Sequence, residues 1–303
     1  MEAAAKVKGH LCESAAGARR PVLREAARPR NPRVSVVLPT LNEARNLPAV
    51  IDALPRDIHE LILVDGRSTD GTVAVAKRHW PRVRVIHQLG DGKGHALALG
   101  FAAATGDVIV TIDGDGSTNP AEIPRFVAAL TAGADFAKGS RFLPGAGSDD
   151  LTRIRRAGAR GLTTLVNVLF RTGYTDLCYG FNAFWRDCLP WIKPTTNGFE
   201  VETLMHISAA RAALHVVEVP SVERLRVHGA SNLRAGRDGL RVLHTILRER
   251  ASRAPAPRVP APPKLGMAPV KFKFTQADLL AAIDDGGPAD EGGPATAVHH
   301  ATP

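Results

Sequence analysis

Between Arg33 and Leu130 short apolar runs alternate with stretches of helical periodicity, and this rhythm constrains the fold more than any other feature. Arg33–Leu38, Glu60–Val64, Val83–His87 and Val108–Ile112 read as strands. Leu47, Val50, Ile51 and Leu54 recur at helical spacing after the first run. Ser68 or Thr69 is placed to cap a second helix reaching Arg78. His95–Ala104 is an alanine-rich third helix, and Pro120–Leu130 a fourth with proline near its first turn. Strand–helix units repeated in this way pair their strands in parallel and cover both faces with helices. The expected class is therefore α/β: a mostly parallel sheet with flanking helices in a single domain.

Such a sheet brings the loops after its strands to one edge, where open α/β folds bind ligands. The run Val-Ile-Val-Thr-Ile, rich in branched side chains, reads as a strand buried on both faces. It stops at Asp113-Gly114-Asp115-Gly116-Ser117. Two carboxylates one residue apart repel unless hydrogen bonds or a cation offset them. A hard divalent cation that keeps some waters and binds substrate phosphates would do so. A plain turn is the simpler account of Asp and Gly. The neighbouring loop tips weigh against it, since Asn42, Glu43, Asp65, Gly92 and Lys93 would share the same crevice. Taken singly, Glu43 suits a first helical turn and Asp65 a strand-end turn. Neither Gly-x-x-x-x-Gly-Lys-Ser/Thr nor Gly-x-Gly-x-x-Gly follows a strand, which argues against an NTPase or a dinucleotide dehydrogenase.

The second half is less regular. Phe136–Arg141 reads as a strand and Pro144–Asp150 as a loop. Leu151–Thr172 is a helix whose basic start (Arg153, Arg155, Arg156, Arg160) runs into an apolar end. Two readings stand side by side: a helix on a membrane surface, or a core-packed helix with a solvated basic turn. Tyr179–Arg186 is a strand, and Gly198-Phe199-Glu200-Val201-Glu202 opens a helix to Ala213. Glu200 and Glu202 suit that helix start electrostatically. Val216–Pro220 and Glu223–Val227 are short strands, and Leu233–Glu249 an amphipathic helix.

The net charge of +9 is unevenly placed. Residues 1–32 form a basic arm without periodicity, expected to be disordered. Residues 251–303 are Pro-rich and largely disordered by composition, apart from a short helix at Phe272–Ile283. The folded unit expected is 33–250. Cys12, Cys178 and Cys188 share no ligand spacing, and their odd number fits a reducing compartment. No apolar run has the length of a membrane span, and the N-terminus lacks a signal-peptide core. The expected location is the cytoplasm, in solution or peripheral at the inner face of the membrane. The arm lacks interleaved aromatic residues, so no nucleic-acid partner is expected.

Val37-Leu38-Pro39-Thr40-Leu41-Asn42-Glu43, Val64-Asp65-Gly66-Arg67-Ser68-Thr69-Asp70-Gly71 and Asp113-Gly114-Asp115 resemble family 2 glycosyltransferases of the GT-A fold. Gly92-Lys93-Gly94, Gly139-Ser140-Arg141, Gly180-Phe181-Asn182-Ala183, Gly198–Glu202 and Arg226-x-x-Gly229-x-Ser231 are similar to polyprenyl-phosphate sugar transferases within that family. The resemblance covers 33–250 with its motifs in order. It implies inverting transfer of a hexose from a GDP- or UDP-sugar to a polyprenyl phosphate, with Mg²⁺ or Mn²⁺ on Asp113 and Asp115. It assigns Pro39, Leu41, Glu43, Asp65, Ser68, Gly92, Lys93, Asp113 and Gly114 to the nucleotide-sugar. Arg141 and Arg226 match arginines facing donor or acceptor phosphate, Asp115 the direct metal ligand, and Glu202 the place of a general base in relatives with hydroxyl acceptors. A soluble hydroxyl acceptor and a nucleotide-sugar-binding protein without turnover are the alternatives, and the oligomeric state stays open. Three departures stand out: Gly66 in place of a second acid, Ser117 in place of a glutamine, and no membrane helices after Glu249.

Overall fold

The computed structural model describes residues 28–192, 194–229, 234–252 and 283–284. The four apolar runs become β1 (Val34–Thr40), β2 (Glu60–Asp65), β3 (Arg84–His87) and β4 (Val108–Thr111). They lie in parallel in the order β3-β2-β1-β4. Val36, Leu61 and Val110 on one face and Val37, Ile62 and Ile109 on the other are fully buried, as a sheet covered on both faces requires. The crossovers hold α1 (Leu47–Asp52), α2 (Thr72–His79) and α3 (Lys93–Ala103), and β4 leads into α4 (Ile123–Thr131). Close approach of α3 to β1 depends on Gly100, where a Cβ would lie 2.3 Å from Val37 Cγ1.

The second half supplies β5 (Phe136–Ser140), β6 (Gly147–Ser148), α5 (Arg153–Phe170), β7 (Asn182–Trp185) and α6 (Val201–Arg211). Next come β8 (Val216–Pro220), β9 (Val222–Glu223) and α7 (Ala235–Ala251), with β10 (Ile283–Asp284) further on. The main sheet runs β10-β3-β2-β1-β4-β7-β5-β8, and β6 and β9 form a small parallel pair. β7 is antiparallel to both β4 and β5, with Asn182 opposite Thr111. That reversal brings the segment leading into β7, Gly180 and Phe181, to the edge where β4 and β5 end. A second apolar cluster of Val166, Leu177, Ile207, Val242 and Ile246 joins α5, α6 and α7.

Several expectations change. The cap of α2 is neither Ser68 nor Thr69 but Gly71 in a left-handed conformation, and Asp70 takes the Thr72 N–H instead. Ser68 is drawn away because its hydroxyl accepts the Asn42 N–H. The strand expected over 223–227 is only Val222–Glu223, because Arg224–Gly229 turns back over the sheet edge. Pro120–Glu122 is a 3₁₀ turn ahead of α4. Order begins before Arg33: Arg28 pairs with Asp135 and Asp187 and lies over the Trp185 ring. Ile283 is in β10 against β3 rather than in a helix, and the rest of the helix expected at 272–283 lies outside the described residues. Arg28 from the basic arm and Ile283–Asp284 from the tail are thus held against the sheet.

Candidate active site

The loops after β1 and β2 are knit together by their own polar side chains. Asn42, held at φ +57°, accepts the Thr69 N–H, while Thr72 Oγ1 accepts the Glu43 N–H. Asp70 accepts the Ala44 N–H. Asp65 ends β2 buried, with Oδ2 accepting the Ser68 N–H at 3.1 Å and Oδ1 without a partner. A buried acceptor left open at a strand end wants a donor from outside, and the hydroxyl or N–H of a nucleoside fits. Gly66 beside it is confined, since a Cβ there would sit 3.1 Å from Thr40 O.

Two ion clusters flank Asp113-Gly114-Asp115. Lys93, the first residue of α3, places Nζ 2.5 Å from Asp113 Oδ1 and 2.7 Å from Glu202 Oε1. Burial opposes charge on this amine, but Asp113 and Glu202 overcome it and hold Lys93 firmly protonated. Glu202 is buried in the first turn of α6, and desolvation with help from Asp113 raises its pKa against the pull of Lys93. On the other flank Arg226 binds Glu43 and lies 3.5 Å from Asp115 Oδ2. Glu43 is braced by Asn46 Nδ2 at 2.6 Å, and its pKa is raised by burial against the opposing effects of Asn46 and Arg226. The Arg224–Gly229 segment lies over the acidic loop: the Arg224 N–H donates to Ser117 O, and Val227 lies against Gly116. A cavity of about 270 Å³ bounded by Asn42, Arg45, Asp70 and His228 opens beside Arg226.

The pair Asp113 and Asp115 fits a hard divalent cation. Ser117 donates both its N–H and its hydroxyl to Asp115 Oδ1, which fixes the carboxylate and leaves Oδ2 directed to the crevice side of Arg226. Among the described residues no third carboxylate, histidine or cysteine completes a ligand set. A bound cation would take its other ligands from water or substrate oxygens, as Mg²⁺ and Mn²⁺ sites with few carboxylates do. Gly180 makes the close approach tolerable, because a Cβ there would be 2.8 Å from both Asp113 Oδ2 and Lys93 Nζ.

Of the residues singled out by sequence, Glu43, Lys93, Asp113, Asp115, Glu202 and Arg226 come together. Pro39, Leu41, Asp65, Gly92 and Gly114 line the same strand edge, with Leu41 exposed. Ser68 serves as a brace between the first two loops. Arg141 is not brought in. It is buried, bound to Asp176 through Nε and Nη2 and to Glu223 through Nη1, and Nη2 also donates to Cys178 O. With its donors occupied, the expectation that it faces a phosphate is not met. Sequence reasoning missed Asn46, Asp176 and the contact of Gly92-Lys93-Gly94 with Thr196 and Asn197. A polar Asn at the start of an apolar helix was the only available signal for the first.

The model for glycosyl transferase family 2 matches residues 35–190. The chain is a family 2 glycosyltransferase. This glycosyltransferase is 33% identical over 216 residues to polyprenol monophosphomannose synthase of Mycolicibacterium smegmatis, covering 66% of the chain and 81% of that relative. It is 44% identical over 108 residues to an uncharacterized glycosyltransferase of Mycobacterium tuberculosis, and spans 48% of that protein's length. Its fold resembles glucosyl-3-phosphoglycerate synthase of Mycobacterium tuberculosis, solved with Mn²⁺, uridine diphosphate and phosphoglyceric acid. The TM-score is 0.60 at 25% identity, over 73% of this chain and 79% of that one. The glycosyltransferase therefore has the GT-A architecture, its acidic pair at the carboxyl end of β4.

Proposed function

We propose that this enzyme transfers a hexose from a GDP- or UDP-sugar to a polyprenyl phosphate, with inversion. The observation that carries the donor half is the convergence of Asp113, Asp115, Lys93 and Arg226 at the strand edge that also presents the open Oδ1 of Asp65. A nucleoside would satisfy Asp65, and Lys93 and Arg226 offer positive charge to the diphosphate. A divalent ion held by Asp113 and Asp115 would supply charge neutralisation of the departing diphosphate. The phosphate oxygen of the acceptor attacks the anomeric carbon. The bond from that carbon to the diphosphate oxygen breaks, and its electron pair leaves with the nucleoside diphosphate. A phosphate acceptor is already anionic at neutral pH, so Glu202 serves to hold Lys93 rather than to remove a proton.

The lipid half is supported by α5 and α7. On α5, Ile154 is 86% and Val168 71% exposed, on the face opposite Ala159, Thr163 and Val166. On α7, Leu240 and Leu247 are exposed opposite Val242 and Ile246. Packed together, the α5 face with Ile154 and Val168 and the α7 face where Leu240 and Leu247 lie among Arg237, Arg241, His244 and Arg248 suit a headgroup boundary of mixed apolar and basic character. Among the described residues no helix is long and apolar enough to cross a membrane, so attachment would be peripheral. The relative in Mycolicibacterium smegmatis, named for a polyprenol product, supports the same acceptor. A soluble acceptor is the second reading, favoured by the phosphoglyceric acid in the structural neighbour.

The test is organic extraction after incubation with Mn²⁺ or Mg²⁺, labelled UDP- and GDP-hexoses and polyprenyl phosphate. Label in the organic phase is the expected result and names the donor. Nucleoside diphosphate released only with soluble acceptors would replace the lipid reading with the hydroxyl one. Absence of nucleoside diphosphate release with every donor tested would end the catalytic proposal.

A further inference from the structure

A second cavity, of about 510 Å³, lies between α7 and the 196–200 loop that leads into α6. None of the residues assigned to the sugar donor lines it. Arg237, Arg241, His244 and Arg248 lie along one side of α7 and form its basic wall. The three arginines are held loosely: Arg237 and Arg241 lie 3.8 and 3.6 Å from Asp238, and Arg248 3.6 Å from Glu249. These separations exceed hydrogen-bond range, so their guanidinium donors are open to a ligand. Facing them, Thr196 is 9% exposed and its hydroxyl has no partner. Glu200 Oε1 accepts the Gly198 N–H at 3.2 Å, while its buried Oε2 also lacks a partner.

The two walls ask for different things. A row of arginines selects an oxyanion, phosphate above all, through paired N–H donors. A buried carboxylate oxygen and a buried threonine hydroxyl ask for hydroxyl groups, which donate as well as accept. A bare phosphate would satisfy the first wall and be repelled by Glu200. We infer that this cavity binds a phosphorylated polyol, its phosphate on the α7 arginines and its hydroxyls on Glu200 and Thr196. Glycerol phosphate is the simplest molecule with that chemistry, whether free in solution or as the headgroup of phosphatidylglycerol. Leu240 belongs to the same cavity and is 68% exposed, which suits either an apolar tail or open solvent.

The experiment uses the full chain without divalent cation. Binding of glycerol 3-phosphate and of inorganic phosphate is measured by calorimetry. Sedimentation with phosphatidylcholine vesicles containing phosphatidylglycerol or, at equal charge, phosphatidylserine forms the second arm. Binding in the first arm with preference for glycerol 3-phosphate identifies a soluble ligand, and preference for phosphatidylglycerol vesicles alone identifies a headgroup. In either arm, Arg237→Gln/Arg241→Gln/Arg248→Gln should weaken binding by about 100-fold, as expected for loss of several charge-assisted hydrogen bonds. The three arginines are about half exposed, so this variant should keep its melting temperature. Thr196→Val should lower affinity by about 5-fold, the loss of one neutral hydrogen bond. Equal affinity for glycerol 3-phosphate and phosphate together with equal vesicle binding would overturn the proposal. So would full binding by the triple variant, or no binding to any probe by the wild type.

Discussion

Two clusters of paired charges sit at the carboxyl ends of β4 and β5, on either side of β7, and are built for different work. At the end of β5, Arg141 is 5% exposed and its guanidinium is shared out among Asp176, Glu223 and Cys178 O. At the end of β4, Arg226 has Glu43 beside it and only a long contact to Asp115, while Asp113 is 31% exposed. The first cluster is closed, with the donors of its arginine taken up inside the protein. The second holds charge at the rim of a crevice, where Lys93 and Arg226 occupy carboxylates that a ligand could claim. Arginines that the sequence presents as equals thus differ in whether anything is left to offer.

The largest effect should come from opening the exposed cluster at its acid. Asp115→Ala should reduce sugar transfer by at least about 10³-fold, since it removes charge stabilisation at the leaving group. Its melting temperature should change little, as read by calorimetry. The buried cluster should answer the other way. Arg141→Met leaves the buried carboxylates of Asp176 and Glu223 without their arginine, with only neutral donors such as the Cys178 N–H and the Ser148 hydroxyl, and should cost about 3–5 kcal/mol, or roughly 10 °C in melting temperature. A full loss of turnover in Arg141→Met without loss of stability would erase the distinction drawn between the two arginines.

Glu202→Gln sharpens the reading of the acceptor. A hydroxyl acceptor would make this variant lose about 10²–10⁴-fold in turnover. It would also remove an acidic limb that burial places above the ordinary glutamate range. With a phosphate acceptor the loss should stay near 10-fold and the profile keep its shape, measured as kcat/KM against pH. The smallest effect concerns acid. Burial would raise the pKa of Asp176, but Arg141 prevails and holds it below the usual carboxylate value. Its contribution to stability is therefore full above about pH 4 and lost as pH falls through the lowered folded value. Asp176→Asn should flatten that acid limb in denaturant titrations.

The first half of the fold was legible because β1 to β4 are buried on both faces and punctuated by helices of clear period. The antiparallel β7 was legible as a strand but not as a reversal, since direction is set by partners rather than by local pattern. At the site, Asp113, Asp115, Glu43 and Lys93 could be gathered from strand-end position alone. The burial of Arg141 could not, because its partners lie 35 and 82 residues away. The cap at Gly71 was missed for a related reason: Ser68 is spent on Asn42, a contact between two loops.

Gly92 and Gly94 carry one further consequence. A Cβ on Gly92 would lie 2.1 Å from the carbonyl oxygen of Asn197, and one on Gly94 1.9 Å from that of Thr196. The Gly94 N–H also donates to Asn197 O at 2.9 Å. Backbone rests on backbone here, with no side chain between to act as a cushion. The loop that carries Lys93 and the loop that leads to Glu202 behave as a single hinge leaf, so neither can swing without the other. An alanine at either glycine would drive a methyl group into a carbonyl of the facing loop, so the two loops can close on each other only while both positions stay bare.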